Sequence, residues 1–288
     1  MFRMKFLPPI LKERILGSDF ERRREPASAV GRDEQASNYL SAGNENGGMY
    51  IIHLFHCAHI SQVIEGVSRV LDLSCGPAMQ LLLTAQYHPD KEFVGIDLSA
   101  GMAEATKKRA QELGVRNVTL LPASDLPSIA KGEFGAITST MALHHLPTHD
   151  HVAGCFMQMA SMLERNGAVY ISDFVRLNRR DTVEFMVANS AYNQPRAFNE
   201  DFRHSMLAAF SEAEFDELRV RYLPWSRAYT AWPLGLFHII KTESQALSET
   251  RKMEFVNARN RLPQKLRKDL DDLRSFFRLA GLRPDPFT

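Results

Sequence analysis

The residues of this 288-residue chain whose types and spacing could do chemistry are two histidines and three acids that close apolar runs. The histidines stand together in Leu143-His144-His145-Leu146-Pro147; the acids are Asp72, Asp97 and Asp173. Histidine exchanges a proton near neutral pH, and a carboxylate accepts from hydroxyls and amides. Asp72 lies in Arg69-Val70-Leu71-Asp72-Leu73-Ser74-Cys75-Gly76-Pro77-Ala78, followed by the apolar run Leu81-Leu82-Leu83. An apolar run with an acid predicts a buried parallel strand, and small residues with a proline predict a tight turn into a helix whose first position is Pro77. Such a helix start aims unpaired N–H groups at whatever lies above the strand, so an anionic group is expected there. Glu92-Phe93-Val94-Gly95-Ile96-Asp97 repeats the logic, with Ser99 as N-cap of a helix from Ala100 to Leu113. An acid ending the second strand of a doubly wound sheet is the usual partner of ribose hydroxyls.

The elements that must position these residues follow from periodicity. The pattern predicts a helix over Met49–Glu65, strands at Val118–Leu121 and Phe134–Thr138, and a helix over Met157–Leu163. Asn166-Gly167 then reads as a stop, followed by a strand over Ala168–Ser172 with Asp173 at its end. Ser211-x-x-Glu214 is a capping box opening the next helix, and Arg219–Leu223 and Leu234–Lys241 read as two closing strands around Pro224 and Pro233. Leu266, Leu270, Leu273, Phe277 and Ala280 recur at helical spacing in a charged background, an apolar seam that docks on its own domain or on another chain. His53, His56 and His59 step by three, so the outer two diverge by about 120° around a helix. Without paired cysteines or an HExxH pattern no metal site is expected, and these imidazoles read as core or cavity-lining groups.

Composition narrows the class. With 44% hydrophobic and 24% charged residues the chain can bury a substantial core, and a net charge of +1 gives no global pull toward nucleic acid. Residues 1–24 carry seven Lys/Arg against three acids and residues 250–288 ten against five, which reads as solvated helix faces or as basic ends that recruit an acidic partner. Apolar runs are too short to span a bilayer, and three cysteines, Cys57, Cys75 and Cys155, fit a reducing compartment, so a cytoplasmic protein without membrane contact is expected.

Five stretches in order, VLDLSCGPA (70–78), FVGIDLSAGM (93–102), LLPASDLPS (120–128), FGAITSTMALHHLP (134–147) and LERNGAVYISDF (163–174), resemble the class I S-adenosylmethionine-dependent methyltransferases over roughly residues 65–241. Glu200–Ser211 resembles a bacterial small-molecule, UbiE-like subgroup. The family's D-x-G-x-G-x-G turn is here Asp72, Ser74, Gly76 and Ala78, keeping the middle glycine, while the G-x-G-x-x-G of nucleotide-dependent oxidoreductases is absent. The resemblance implies a doubly wound, Rossmann-like seven-stranded α/β sheet with an antiparallel closing strand, a helical N-terminal lid and a C-terminal helical appendage. It implies S-adenosyl-L-methionine as cofactor, held by Asp72, Ser74, Cys75, Gly76, Ala78, Asp97, Leu98, Met102, Ser124, Asp125, Leu126, Ser139 and Thr140. Of these, Asp125-Leu126 corresponds to the pair that meets the adenine.

The domain boundaries expected are 1–48 for a lead-in that closes as a lid, 49–241 for the methyltransferase domain with a helical insertion at 181–210, and 242–288 for the appendage. No [Asn/Asp]-Pro-Pro-[Tyr/Phe] run follows the fourth strand, which favours O-, S-, C- or aliphatic N-methylation of a small molecule or peptide, as in natural product or metabolite modification. His144 matches the general base in the L-H-D-W run of plant-type O-methyltransferases; alternatively it packs or caps the following helix. Tyr39 in the lid and Asp173 are the other catalytic candidates, and Arg176, Arg179 and Arg180 could grip an anionic substrate. A cofactor-binding but non-catalytic scaffold is the alternative function, and the 181–210 insertion admits a homodimer contact.

Overall fold

The computed structural model describes residues 6–26, 49–76, 78–97, 100–190, 196–233 and 235–288. One sheet contains β1 (Arg69–Leu73), β2 (Glu92–Asp97), β3 (Val118–Pro122), β4 (Phe134–Thr140), β5 (Leu163–Phe174), β6 (Arg227–Thr230) and β7 (Phe237–Lys241) in the order β3-β2-β1-β4-β5-β7-β6. Strands β1 to β5 are parallel, and β7 runs antiparallel to both β5 and β6. This is the doubly wound, Rossmann-like α/β sheet that the motifs predict. Its order reverses between β1 and β4, where Asp72 pairs with Thr138, so the ligand crevice of such a fold lies beyond that pair.

The helices are α1 (Leu7–Ile15), α2 (Tyr50–Val63), α3 (Met79–Tyr87), α4 (Ala100–Glu112), α5 (His149–Met162), α6 (Arg180–Ser190), α7 (Arg196–Ala208), α8 (Glu212–Tyr222), α9 (Glu249–Arg261) and α10 (Gln264–Leu279). Helix α2 is buried nearly all round because it is covered on two sides, by sheet residues such as Val70 and Tyr170 and by α10, where Phe55 stacks on Phe277 at 5.2 Å between ring centroids. The α10 seam thus docks on its own chain. The α2 histidines are core imidazoles: His53 Nδ1 meets Gln80 at 3.3 Å, His56 Nδ1 meets the Tyr170 hydroxyl at 2.7 Å, and His59 Nδ1 meets Gln62 at 3.3 Å. Burial depresses His53 to about 4 and His56 to about 3, so both stay neutral.

Four boundaries differ from the sequence expectation. Arg219–Leu223 is the end of α8: Ser211 and Glu214 form the full capping box, and the helix they launch buries Phe215 and Leu218 at i, i+3 spacing. The strand of that region is Arg227–Thr230, beyond Pro224. Helix α3 starts at Met79 instead of Pro77, because Ala78 takes a left-handed conformation. Helix α5 starts at His149, where the Thr148 side chain accepts from the His151 amide, and β5 starts five residues early, at Leu163. Asn166 at φ 60° forms a bulge there, and the pairing to β4 jumps from Phe134↔Leu163 to Ala136↔Ala168.

The described part of the lead-in packs on the domain. The Glu13 carboxylate accepts from the amides of Asn178 and Arg179 at 2.6 and 3.0 Å, capping the approach to α6, and residues 16–26 continue as a strap along α7 and the turn after β4. Within the expected lead-in, the strap is pinned through Glu25 by side chains with no local sequence signature.

Candidate active site

The turn after β1 holds Ser74, Gly76 and Ala78 at φ 61°, 52° and 54°. Glycine takes this conformation freely, whereas serine and alanine are strained there by about 1–2 kcal/mol each. The turn is fixed to β2 by two amides, Cys75 N–H to the Ile96 carbonyl at 3.0 Å and Gly76 N–H to Asp97 Oδ2 at 2.7 Å. Asp72 is buried beneath it and accepts from the Thr138 hydroxyl at 3.0 Å. Burial pushes its carboxyl up to about 7, and the Asp97 charge adds to that rise.

A Cβ on Gly76 would meet no atom of the described residues within 4 Å. No side chain caps the start of α3. At the rim, Ser124, Asp125 and Leu126 lie in a 3₁₀ turn directly after β3, with the Ser124 hydroxyl on Asp125 Oδ1 at 3.1 Å. Ser139 and Thr140 end β4; the Ser139 hydroxyl is buried and has no hydrogen-bond partner among the described residues. Met102 lies on α4, and Leu98 and Tyr39 fall outside the described residues. Small residues in this turn and a buried hydroxyl without a partner among the described residues suit a cofactor carrying carboxylate and hydroxyl groups.

His144 sits in a second 3₁₀ turn, Leu143–His145, just beyond β4. Asp173, at the end of β5, is the knot that holds it. Oδ2 accepts from the amides of Leu143 and His144 at 2.6 and 3.1 Å, while Oδ1 accepts from the Phe174 amide at 2.6 Å and faces His144 Nδ1 at 2.6 Å. Those contacts direct both Asp173 oxygens at the turn that carries His144 and at the Phe174 amide. Arg176 and Arg179 do not converge on an anion site: they face Glu214 at 3.7 Å and Asp19 at 3.0 Å.

The strap supplies two residues that sequence reasoning missed. The Arg22 guanidinium donates to the carbonyls of Ala208, Pro147, His144 and Leu146 at 2.6 to 3.1 Å and lies 3.9 Å from the Phe210 ring centroid. Glu25 is buried and reaches His145 Nδ1 at 2.5 Å and the Ser205 hydroxyl at 2.7 Å, with His144 Nε2 3.8 Å away. The Glu25 carboxyl is lowered because hydrogen bonding and charge from His145 outweigh its burial; His145 is raised because Glu25 outweighs its own burial. The two form an ion pair that covers His144. No local motif marks Glu25, since it stands 120 residues before its partner.

Residues 70–167 match the family model described as "Methyltransferase domain". A ribosomal RNA small subunit methyltransferase G of Shewanella piezotolerans is 29% identical over 149 residues, 48% of this chain and 69% of the relative. The aklanonic acid methyltransferase DauC of a Streptomyces species is 30% identical over 112 residues, 38% of this chain and 49% of the relative. An uncharacterized Synechococcus protein is 30% identical over 122 residues, but the chain spans only 28% of its length. Among solved structures, the plantazolicin methyltransferase BpumL in complex with SAH superimposes with a TM-score of 0.55 at 15% identity, covering 75% of this chain and 93% of that one.

The fold is therefore that of the Rossmann-like methyltransferases. The matched segment runs from β1 into β5, through the first four of the five stretches and the start of the fifth, so residues 70–167 resemble a methyltransferase domain, a kind of domain that uses S-adenosyl-L-methionine as methyl donor.

Proposed function

We propose that the chain methylates a small molecule or peptide at oxygen, sulfur, carbon or an aliphatic amine, with His144 taking the proton when the acceptor is a hydroxyl or thiol. The observation that carries this reading is the His144–Asp173 pair at the end of β4, 2.6 Å apart, beside the crevice of Asp72, Gly76 and Asp97. In this reading the turn from Ser74 to Ala78 meets the methionine end of the donor, with Asp72 beneath it. Asp97 exchanges the Gly76 amide for ribose hydroxyls, and Asp125 with the Leu126 amide meets the adenine, flanked by Ser124, Leu98 and Met102. Ser139 and Thr140 stand between donor and acceptor. When bound, the donor supplies a methyl group on a positively charged sulfur, which needs no further activation as a leaving group.

The chain's own part is position and a proton. Asp173 keeps the Nδ1 proton on His144, leaving the Nε2 lone pair as the basic atom. A general base of this kind contributes about 10²–10⁴ in rate. Residues 1–48, with Tyr39 as a candidate cavity wall, close the site as a lid. The rRNA relatives point toward RNA, but a net charge of +1 favours a compact acceptor, of the kind aklanonic acid represents for DauC. A cofactor-binding scaffold is the second reading, favoured by the cover that Glu25 and Arg22 place over His144.

Calorimetry with S-adenosylhomocysteine and a methyl-transfer assay test both. Asp97→Ala should weaken binding by about 1.5–3 kcal/mol, the range for hydrogen bonds to a charged group. His144→Ala should lower turnover by about 10²–10⁴ with cofactor affinity intact, because only the transition state loses an interaction. Unchanged affinity in the first variant removes the cofactor assignment, and unchanged turnover in the second removes the base.

A further inference from the structure

We propose that Glu25, His144 and His145 form a site for one zinc-type divalent ion, which fastens the N-terminal strap onto the turn after β4. Among the described residues this is the one group of three such side chains whose ligand atoms, a carboxylate oxygen and two imidazole nitrogens, all lie within 4.8 Å of one another. Two histidines and a carboxylate with an open fourth position is a recurrent donor set for zinc and its first-row neighbours. Metal–ligand distances near 2.1 Å put two ligands of one tetrahedral ion about 3.4 Å apart, so the cluster accommodates an ion by sub-ångström to roughly ångström shifts of side chains.

The surroundings are those of a metal-binding histidine. Zinc-bound imidazoles characteristically give their other N–H to a carboxylate, which fixes the tautomer and raises ligand basicity. His144 does this: Nδ1 faces Asp173 Oδ1 at 2.6 Å, which turns the Nε2 lone pair toward Glu25. There it faces Oε1 across 3.8 Å with no hydrogen bond between them. With the Nδ1 proton held by Asp173, the His144 lone pair faces the carboxylate, and an ion bound there takes the place of the proton between His145 and Glu25, which leaves to solvent. Ser205 donates to the same oxygen at 2.7 Å, holding the carboxylate in place, and the Asp201 charge acts on His145 from α7. His144 and Glu25 are almost fully buried, whereas the His145 side chain is 37% exposed and gives the ion its way in.

Glu25 comes from the strap and both histidines from the β4 exit, so the ion ties the two segments together and occupies Nε2, the atom taken above as the proton acceptor. Zinc binding rests only on this cluster; inhibition by zinc rests in addition on the base assignment.

The test uses the full chain with any affinity tag removed and no methyl donor present. Calorimetry with Zn²⁺, and the visible bands of Co²⁺, should give one ion per chain with nitrogen and oxygen ligands; Mg²⁺ and Ca²⁺ should not compete. Glu25→Gln and His145→Asn should each weaken Zn²⁺ binding by at least about 100-fold, the upper end of what outer partners of metal ligands cost. His151→Asn, at an exposed histidine outside the cluster, should leave it unchanged. Circular dichroism verifies that each variant is folded. Sub-stoichiometric Zn²⁺, or equal affinity in the two cluster variants and wild type, overturns the site. Methyl transfer is then measured with and without Zn²⁺. Stoichiometric binding that stops turnover supports the site and the base together, whereas stoichiometric binding with turnover unchanged supports the site and rejects His144 as base.

Discussion

The ion pair between Glu25 and His145 should make the docking of the strap depend on pH in a way that one substitution abolishes. The Glu25 carboxyl is held below its ordinary value, so its contribution is present above about 4.3, the unfolded pKa, and is lost as pH falls through the lower folded value. His145 is held above its ordinary value, so its contribution is full below about 6.5 and is lost as pH rises through the folded value. The pair is strongest between roughly pH 4.5 and 6.5, and the strap should loosen on the alkaline side. His144, Asp173, Asp201, Ser205 and Arg22 face the same pair, so the profile belongs to the cluster and not to one residue. The carboxylate is buried but its partner is a third exposed. The loss in Glu25→Gln therefore falls below the 3–5 kcal/mol of a fully buried pair, at about 1.5–3 kcal/mol, because solvent screens one side and the amide oxygen keeps the Ser205 bond. That energy resists local opening of the strap, so amide hydrogen exchange at residues 20–25 reads it more directly than a melting curve. Wild type should exchange faster at pH 8 than at pH 6 by more than the intrinsic chemical rate explains, and Glu25→Gln should follow the intrinsic rate alone. Identical corrected profiles in the two proteins would refute the ion-pair account.

Three further outcomes follow from the same geometry. Ala78→Gly relieves a left-handed alanine worth about 1–2 kcal/mol and gives back about 0.5–1 kcal/mol of chain entropy, so it should raise stability by up to about 1 kcal/mol in urea titrations. A loss of stability would mean that the methyl group packs usefully. Asp72, with a folded pKa of about 7 against about 3.9 unfolded, favours the folded state less as pH rises through that window, with an upper bound of about 4 kcal/mol reached above pH 7. Asp72→Asn should flatten the stability profile between pH 4 and 8, and an unchanged profile would place the source elsewhere. If residues 18–50 close over the bound donor, S-adenosylhomocysteine should slow proteolytic cleavage there, and equal cleavage with and without it rejects the lid.

The parts legible in the sequence were those set by local chemistry. Strands β1, β2 and β4 announce themselves as apolar runs, the Ser211–Glu214 box is a four-residue pattern, and the α10 seam is a helical period. Where two local readings competed, packing decided. Arg219–Leu223 alternates like a strand, yet a capped helix already under way carried it to Tyr222. Asn166-Gly167 has the composition of a stop, yet pairing with β4 absorbed it as a bulge. Glu25 and Arg22 left no mark at all, because their partners arrive from residues 144–147 and 205–208 and neither end has a period or motif of its own.

That asymmetry bears on how the site works. On the proposed reading the cofactor side is built from turns at one sheet edge, where Gly76 and Asp97 are joined to each other and not to the strap. The acceptor side has no such independence, since the lone pair of His144 is turned toward a carboxylate carried by a different segment. On the proposed reading, an acceptor reaches Nε2 only after Glu25 has moved, whereas the cofactor can bind with the strap in place. Binding order then has a structural cause, donor first and acceptor second. Because Glu25→Gln weakens the cover without touching the turn after β1, it should alter the acceptor's KM while leaving the affinity for S-adenosylhomocysteine unchanged, and a matching change in both would mean that strap and cofactor turn move as one unit.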